Sequence, residues 1–480
     1  MARTLYKDNL LPHPKNESES AETLAPEVLL LNIANTPIAV NPKSGGWAIL
    51  EDSEVAQLFS SRGLKGRVAE FCRRAGLTDN EVNISQDLPL YFFEFIVTPA
   101  CNLGCTYCFA SAIPMDKSSG ANESLCELFI DRIAEYRAQS KTNLPFIIEF
   151  TGGEPLLNFR AIKYTMEYAS SKYGNLLNAE FCLQTNLTTL NEDIKSFSRE
   201  HGLRIGVSCD GYRQIHDTQR PLASGKGSHR LVEKHLIDLF QHVPENTGGV
   251  ICVITPDNSH MIPELMLYFY TLGCSQLVFR PMEQIGRGAN QDAPSRNAYV
   301  DGLFDGLASV INPIFAERGD LIHEQYLSLT FQHLINPSRP FMCERSPCGA
   351  AKNICAVSAD GDVFSCHQAS GNSQFYLGSL YQKSFSQLID SEIALKLQSR
   401  YVKNIPKCSA CSYRSWCTSP CPITALSTHG DMVAPAGDCE ILQYRYKRAF
   451  EGLVRNEFDL DVISRFVGGN TEVSWLHADL

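Results

Sequence analysis

Three cysteines in one short stretch, Cys101-Asn102-Leu103-Gly104-Cys105-Thr106-Tyr107-Cys108, carry the strongest chemical signal in the chain. They follow the apolar run Tyr91 to Val97, which reads as a strand feeding a loop. Three thiolates from one loop suit three corners of a cubane iron–sulfur cluster, because soft sulfur ligands match iron and a loop can wrap one small object. The fourth iron is then open to a ligand that is not protein. Zinc, the competing metal, favours two CxxC-like pairs over a lone triple, and a packing role gives no reason for the spacing. A second field lies downstream at Cys343, Cys348, Cys366, Cys408, Cys411, Cys417, Cys421 and Cys439. Its eight thiolates match two fully ligated four-iron clusters or two zinc ions, so chemistry alone does not choose.

The elements that must hold these residues read as strand, loop, helix, repeated. Strands are expected at 91–97, 146–150, 179–184, 203–209, 249–254 and 276–280, and helices at 123–138, 159–172, 191–200, 229–241, 261–272 and 297–315. Alternation of this kind predicts a parallel sheet covered by helices and connected right-handedly. Polar groups recur at the expected strand ends. Thr151-Gly152-Gly153-Glu154-Pro155 follows the second strand; its glycines permit close backbone approach, and Glu154 offers a negative charge suited to an ammonium. Gln184-Thr185-Asn186 follows the third strand. Ser208-Cys209-Asp210-Gly211 ends the fourth, with His216, Asp217 and Arg220 just beyond, and Arg280-Pro281-Met282-Glu283 ends the sixth.

Taken in order, these motifs resemble the radical S-adenosylmethionine (SAM) superfamily. The resemblance implies an α/β fold, a partial (β/α)6 barrel with its chemistry at the C-terminal strand ends. It also implies SAM contacts from Tyr107, Gly152, Gly153, Glu154, Asn186, Ser208 and Arg220, with Asp210 and His216 read as structural. The second cysteine field, with Cys348-Gly349 and the turn Asp360-Gly361 before Cys366, resembles the SPASM domain of radical SAM peptide maturases. By that similarity Cys343, Cys348, Cys366 and Cys421 hold an auxiliary cluster near the barrel, and Cys408, Cys411, Cys417 and Cys439 an outer one. The implied cofactors are three [4Fe-4S] clusters and SAM. The implied reaction is reductive cleavage of SAM to methionine and a 5′-deoxyadenosyl radical, which takes hydrogen from a ribosomally synthesised precursor peptide and installs a modification, expected to be a side-chain crosslink. In the related anaerobic sulfatase maturases an aspartate acting as base follows the cysteine matching Cys366. Here that residue is His367, the candidate base. A sulfatase-maturase-like or small-molecule oxidoreductase is the alternative enzyme, and a metal-stabilised scaffold the non-enzymatic one; the scaffold leaves the first triple unexplained. The other seven cysteines, Cys72, Cys126, Cys182, Cys209, Cys252, Cys274 and Cys355, are expected in cores.

Composition bounds the rest. A chain of 480 residues with 44% hydrophobic content suits several packed units, and a formal charge of −11 excludes a general nucleic-acid binder, which needs a basic surplus. The N-terminal stretch has no signal-peptide core and no apolar run spans a bilayer, so a cytoplasmic protein is expected. In that reducing setting eighteen cysteines point to metal ligation over disulfides. The organisation expected is an arm at 1–22, a winged-helix-like leader-peptide-recognition unit at 23–87, the barrel at 88–340, the SPASM domain at 341–440, and a C-terminal helix and tail at 441–480. Partners implied are the precursor peptide and a reductant such as a flavodoxin or ferredoxin.

Overall fold

The structure, a computed structural model, describes residues 24–59, 66–78, 88–114, 120–335, 339 and 341–468. The expected arm at 1–22 and the tail with Trp475 lie outside them. The first strands are β1 (Leu29–Ile33), β2 (Thr36–Val40) and β3 (Trp47–Ile49), an antiparallel sheet in the order β1-β2-β3. Ala34 and Asn35, with φ of 51° and 61°, make the two-residue turn whose twist matches an antiparallel hairpin. Helices Asp52–Leu58 and Gly66–Arg74 complete a small core around Ala39, Leu50, Leu58, Cys72 and Leu77. Trp47 ties this unit to the rest: its Nε1 donates to the Leu334 carbonyl at 2.7 Å, and its ring meets Phe450 edge-on at 5.0 Å.

Among the described residues the main sheet has ten strands. Six are parallel and follow the chain: β4 (Phe92–Thr98), β5 (Phe146–Gly152), β6 (Ala179–Thr185), β7 (Arg204–Ser208), β8 (Thr247–Ile254) and β9 (Gln276–Pro281). The strand-and-helix alternation read from the sequence is therefore the observed one. Period-2 alternation divides each strand between two environments. Phe93 and Phe95 of β4 point to the helical layer, where Phe95 stacks on Phe129 of helix Glu123–Ser140 at 4.4 Å. Glu94 between them faces the inside, in register with Glu149 of β5.

Four strands beyond the expected six extend this sheet. β10 (His323–Glu324) pairs parallel with β9, and β11 (Ile354–Val357) pairs parallel with β4 on its free side. β12 (Asp362–Phe364) and β13 (Tyr376–Ser379) continue antiparallel. The second cysteine field is thus grafted onto the barrel's first strand. The expected single helix at 297–315 is interrupted: Arg296–Gly306 passes through a π-helical turn, Leu307–Ile311, into Asn312–Arg318. Pro313 lacks the N–H that a continuous helix needs, and a π-turn accommodates its ring.

The C-terminal helix Cys439–Arg455 is followed by a second, Leu460–Gly468, which packs on helix Gln325–Ile335. Arg445 and Glu344 form a buried two-pronged ion pair between that first helix and the segment after Cys343, with N–O distances of 2.9 and 3.0 Å. Removing one partner strands a charge away from water. Arg445→Met is expected to lower unfolding free energy by about 3–5 kcal/mol in urea titrations. The double variant Arg445→Met/Glu344→Leu should recover at least half of that loss, whereas equal losses in both would mean that the pair itself carries the stability.

Candidate metal centres and the barrel mouth

The cysteine loop leaves β4 at Thr98 and is fixed by its backbone. Cys101 N donates to the Ile113 carbonyl at 2.9 Å, Gly104 N to Pro221 at 2.8 Å and Thr106 N to Gln219 at 2.9 Å. The Cys101 thiol accepts from Leu103 N at 3.4 Å, a weak bond that also suits a thiolate. Burial pushes this thiol up to about 12, so without an opposing charge it stays protonated; iron supplies that charge and displaces the proton. The neighbouring Cys105 lies near the Arg220 guanidinium.

Tyr107 anchors the loop from within. Its hydroxyl donates to Asp210 Oδ2, the same oxygen that Arg220 Nε approaches at 3.1 Å, while Val253 N donates to Asp210 Oδ1 at 3.1 Å. Asp210 is fully buried, so this carboxylate joins the cysteine loop to the ends of β7 and β8. His216 is a satisfied core residue. Its Nδ1 accepts from Asp210 N at 3.2 Å, leaving Nε2 to donate to Ser228 Oγ at 3.0 Å, and Ser228 donates onward to the Arg220 carbonyl.

The glycine turn is shaped by the chain itself. A Cβ on Gly152, at φ +141°, would stand 2.1 Å from the Thr98 carbonyl, and one on Gly153 2.2 Å from that of Ala100. Only glycine permits these approaches. Glu154 is buried and accepts from Thr185 Oγ1 at 2.6 Å, Asn186 N at 2.7 Å and Leu156 N at 3.1 Å. Burial nevertheless raises it to about 7. The Asn186 side chain donates to Asn102 Oδ1 at 2.9 Å and reaches the Cys101 thiol at 3.8 Å. Ser208 accepts from Gln184 Nε2 at 2.7 Å. All seven expected SAM contacts thus converge on the C-terminal ends of β4 to β7 and the loops leaving them.

The second field forms two groups. Cys343, Cys348, Cys366 and Cys421 lie within electrostatic reach of one another. Cys408, Cys411, Cys417 and Cys439 line one pocket with Ser419 and Gln443. Gln443 Nε2 donates to the Cys411 thiol at 3.4 Å. Among the described residues no three His, Cys, Asp or Glu side chains converge as a single metal ion requires. Each set of four thiols supplies the ligands that one four-iron cluster requires. The remaining seven cysteines are each no more than 2% exposed, as packing residues.

His367 stands between the first of these groups and the barrel. Its N–H donates to Glu94 Oε2 at 2.6 Å, its Nδ1 lies 3.2 Å from Thr151 Oγ1, and its ring meets Phe109 of the cysteine loop at 4.9 Å. Burial, assisted by the Arg280 charge, lowers its imidazole to about 4. Glu94 and Glu149 went unnoticed in the sequence reading, although each interrupts an apolar strand at the same register, in Phe-Phe-Glu-Phe and Ile-Ile-Glu-Phe.

Family comparisons agree with this geometry. Residues 95–269 match the radical SAM superfamily model, and residues 348–412 match SPASM, an iron–sulfur cluster-binding domain. The chain is 26% identical over 344 residues to a cysteine-type anaerobic sulfatase-maturating enzyme of Clostridium novyi, covering 68% of this chain and 87% of that one. Its fold is similar to that of native anSMEcpe with bound AdoMet, with a TM-score of 0.65, 21% identity and coverage of 77% and 99%. It is also similar to Streptococcus suis SuiB bound to the precursor peptide SuiA, with a TM-score of 0.52, 13% identity and coverage of 86% and 98%. The two structures speak for the fold, and among the described residues no helix is long and apolar enough to cross a membrane. With its CxxxCxxC loop, its glycine turn and its C-terminal thiol groups, the chain belongs to the radical SAM superfamily and carries a SPASM domain, which implies [4Fe-4S] clusters.

Proposed function

We propose that this chain is a cytoplasmic peptide maturase in which the Cys101/Cys105/Cys108 loop and the Cys343/Cys348/Cys366/Cys421 group lie beside one polar barrel mouth. That arrangement is the observation on which the reading rests. Cys101, Cys105 and Cys108 would hold the SAM-binding cluster; Cys343, Cys348, Cys366 and Cys421 would hold an auxiliary cluster beside the barrel, and Cys408, Cys411, Cys417 and Cys439 an outer one. When bound, the clusters and SAM supply reductive cleavage of the sulfonium and a 5′-deoxyadenosyl radical that takes hydrogen from the substrate.

The chain's own residues bind and orient. Arg220 commits Nε toward Asp210 and keeps its terminal nitrogens for the SAM carboxylate. Ser208 accepts from Gln184 and retains its own proton to donate. Glu154 has three protein donors and one lone-pair position left for the ammonium. Tyr107 holds the loop, and Asn186 fixes Asn102 beside the first ligand. His367, neutral near pH 7, takes the proton released when the substrate radical is oxidised, and the auxiliary clusters, when bound, would accept the accompanying electron.

The unit at 23–87 recognises the precursor's leader: β1 is an edge strand with Leu29 and Leu30 exposed, a form suited to strand addition. The barrel at 88–340, the SPASM domain at 341–440 and the C-terminal helix and tail at 441–480 complete the organisation, with a small electron-transfer protein such as a flavodoxin or ferredoxin as reductant. The product is a side-chain crosslink. The second reading, sulfatase maturation, is favoured by the Clostridium novyi relative and opposed by His367 in place of aspartate.

Anaerobically reconstituted protein should hold about twelve irons, and the Cys101/Cys105/Cys108 triple alanine variant about eight, with deoxyadenosine formation lost. Zinc in place of iron, or deoxyadenosine untouched by the substitutions, would sink this reading. For the base, His367→Ala is expected to cut modified product by about 10²-fold or more while deoxyadenosine still forms. A base is active above its own pKa, so a wild-type imidazole near 4 gives a product-to-deoxyadenosine ratio that stays level from about pH 6 to 8. A half-drop near 6.5 would instead mark an ordinary histidine.

A further inference from the structure

The barrel interior carries a polar layer that the SAM contacts do not use. Glu94 and Glu149 stand side by side on β4 and β5, and Gln184 follows on β6, on the same inner face. Glu149 is 93% buried by its 7% exposure, and no donor among the described residues is hydrogen-bonded to its carboxylate. Gln184 Oε1 is likewise buried with no partner. Glu94 gives one oxygen to His367 N and has no other donor among the described residues. Burial raises both carboxyls, Glu149 well above the usual carboxylate range and Glu94 to about 7, and a ligand that brings a charged N–H group would draw their protons off and satisfy the oxygens left without donors.

Charge points the same way. The cation near this layer is Arg280 of β9, and it is already engaged by Glu283 at 3.2 Å. Glu94, Glu149 and Glu283 therefore face one arginine. Space is available as well. On β8 the inward Ile251 and Val253 keep partial exposure while Val250, Cys252 and Ile254 are buried, and Gly206, opposite Gln184, adds no side chain. Part of the inner face is thus open to solvent.

We infer that Glu149, with Glu94 and Gln184 Oε1 beside it, forms a deep subsite that selects a cationic side chain, lysine or arginine, of the peptide substrate. The inference rests on the maturase reading and names a specificity determinant for it. A long alkyl stem would pass the apolar Ile251 and Val253 and deliver its nitrogen to the carboxylate pair. Glu149 is then a positioning residue: it sets which side chain lies below the reacting carbon.

The test uses the full-length anaerobic holoenzyme with SAM and three probes of one backbone: Nα-acetyl-lysine amide, Nα-acetyl-norleucine amide and Nα-acetyl-glutamate amide. Binding is read by NMR line broadening. The lysine probe is expected to bind at least about ten-fold more tightly than the norleucine probe, and Glu149→Gln should reduce that preference to about two-fold or less. Wild-type protein that does not prefer lysine would overturn the subsite even if the variant fails to fold. A folded Glu149→Gln that keeps the full preference would overturn it too. Deoxyadenosine formation in the same preparations is the separate readout: its absence from wild type removes the maturase reading, whereas its presence without cation preference removes only the subsite.

Discussion

The structure depends on two strand ends held within hydrogen-bond distance. Gly153 N donates to the Thr98 carbonyl at 2.8 Å and Glu154 N to that of Ala100 at 2.8 Å, so the chain entering the cysteine loop and the chain entering the glycine turn form one clamp. A single methyl group at residue 152 or 153 would overlap a carbonyl oxygen and push the two apart. Cys101 follows Ala100 directly, so the backbone that carries the first thiol is fixed by main-chain hydrogen bonds. Glu154 then reaches across to Thr185 and Asn186 and extends the clamp to β6.

A second tie is electrostatic. Asp210 accepts from Tyr107 and Val253 and pairs with Arg220, which joins the loop's last turn to β7 and β8. Buried charges persist only when matched. Asp210 satisfies one arginine and the tyrosine hydroxyl together, and the neutral His216–Ser228 relay fixes the backbone around it without adding charge. The mouth is therefore rigid where SAM is expected, and the unmatched acceptors lie deeper, on the strands.

The barrel was legible in the sequence because its strands are short apolar runs between helical periods, and its strand ends carry glycine, asparagine and aspartate in a fixed order. β4 to β9 fall within two residues of the expected limits. β10 was not legible: two residues, His323 and Glu324, make no pattern, and pairing with β9 alone defines them. β11 to β13 were hidden because cysteine spacing dominated the reading of that region, while Ile354 to Val357 is too short a run to tell strand from helix. Glu94 and Glu149 were visible as letters but not as neighbours. Their meaning comes from parallel register, and register between strands more than fifty residues apart is set by tertiary packing.

The graft of β11 onto β4 explains why one chain can join two metal-binding regions. A parallel strand on the free side of β4 carries its chain in the same direction as β4, and the β11–β12 hairpin turns it back. Cys366 and His367 follow β12 and lie over the inner face of the barrel's first two strands, where Glu94 accepts from His367 N and Thr151 faces its ring. A flexible linker would let the second cysteine field sample many distances from the first. Sheet hydrogen bonds leave it one. The close approach of Phe109, on the cysteine loop, to His367, on the second field, at 4.9 Å is the measure of that constraint: an edge-to-face ring contact joins the two regions directly.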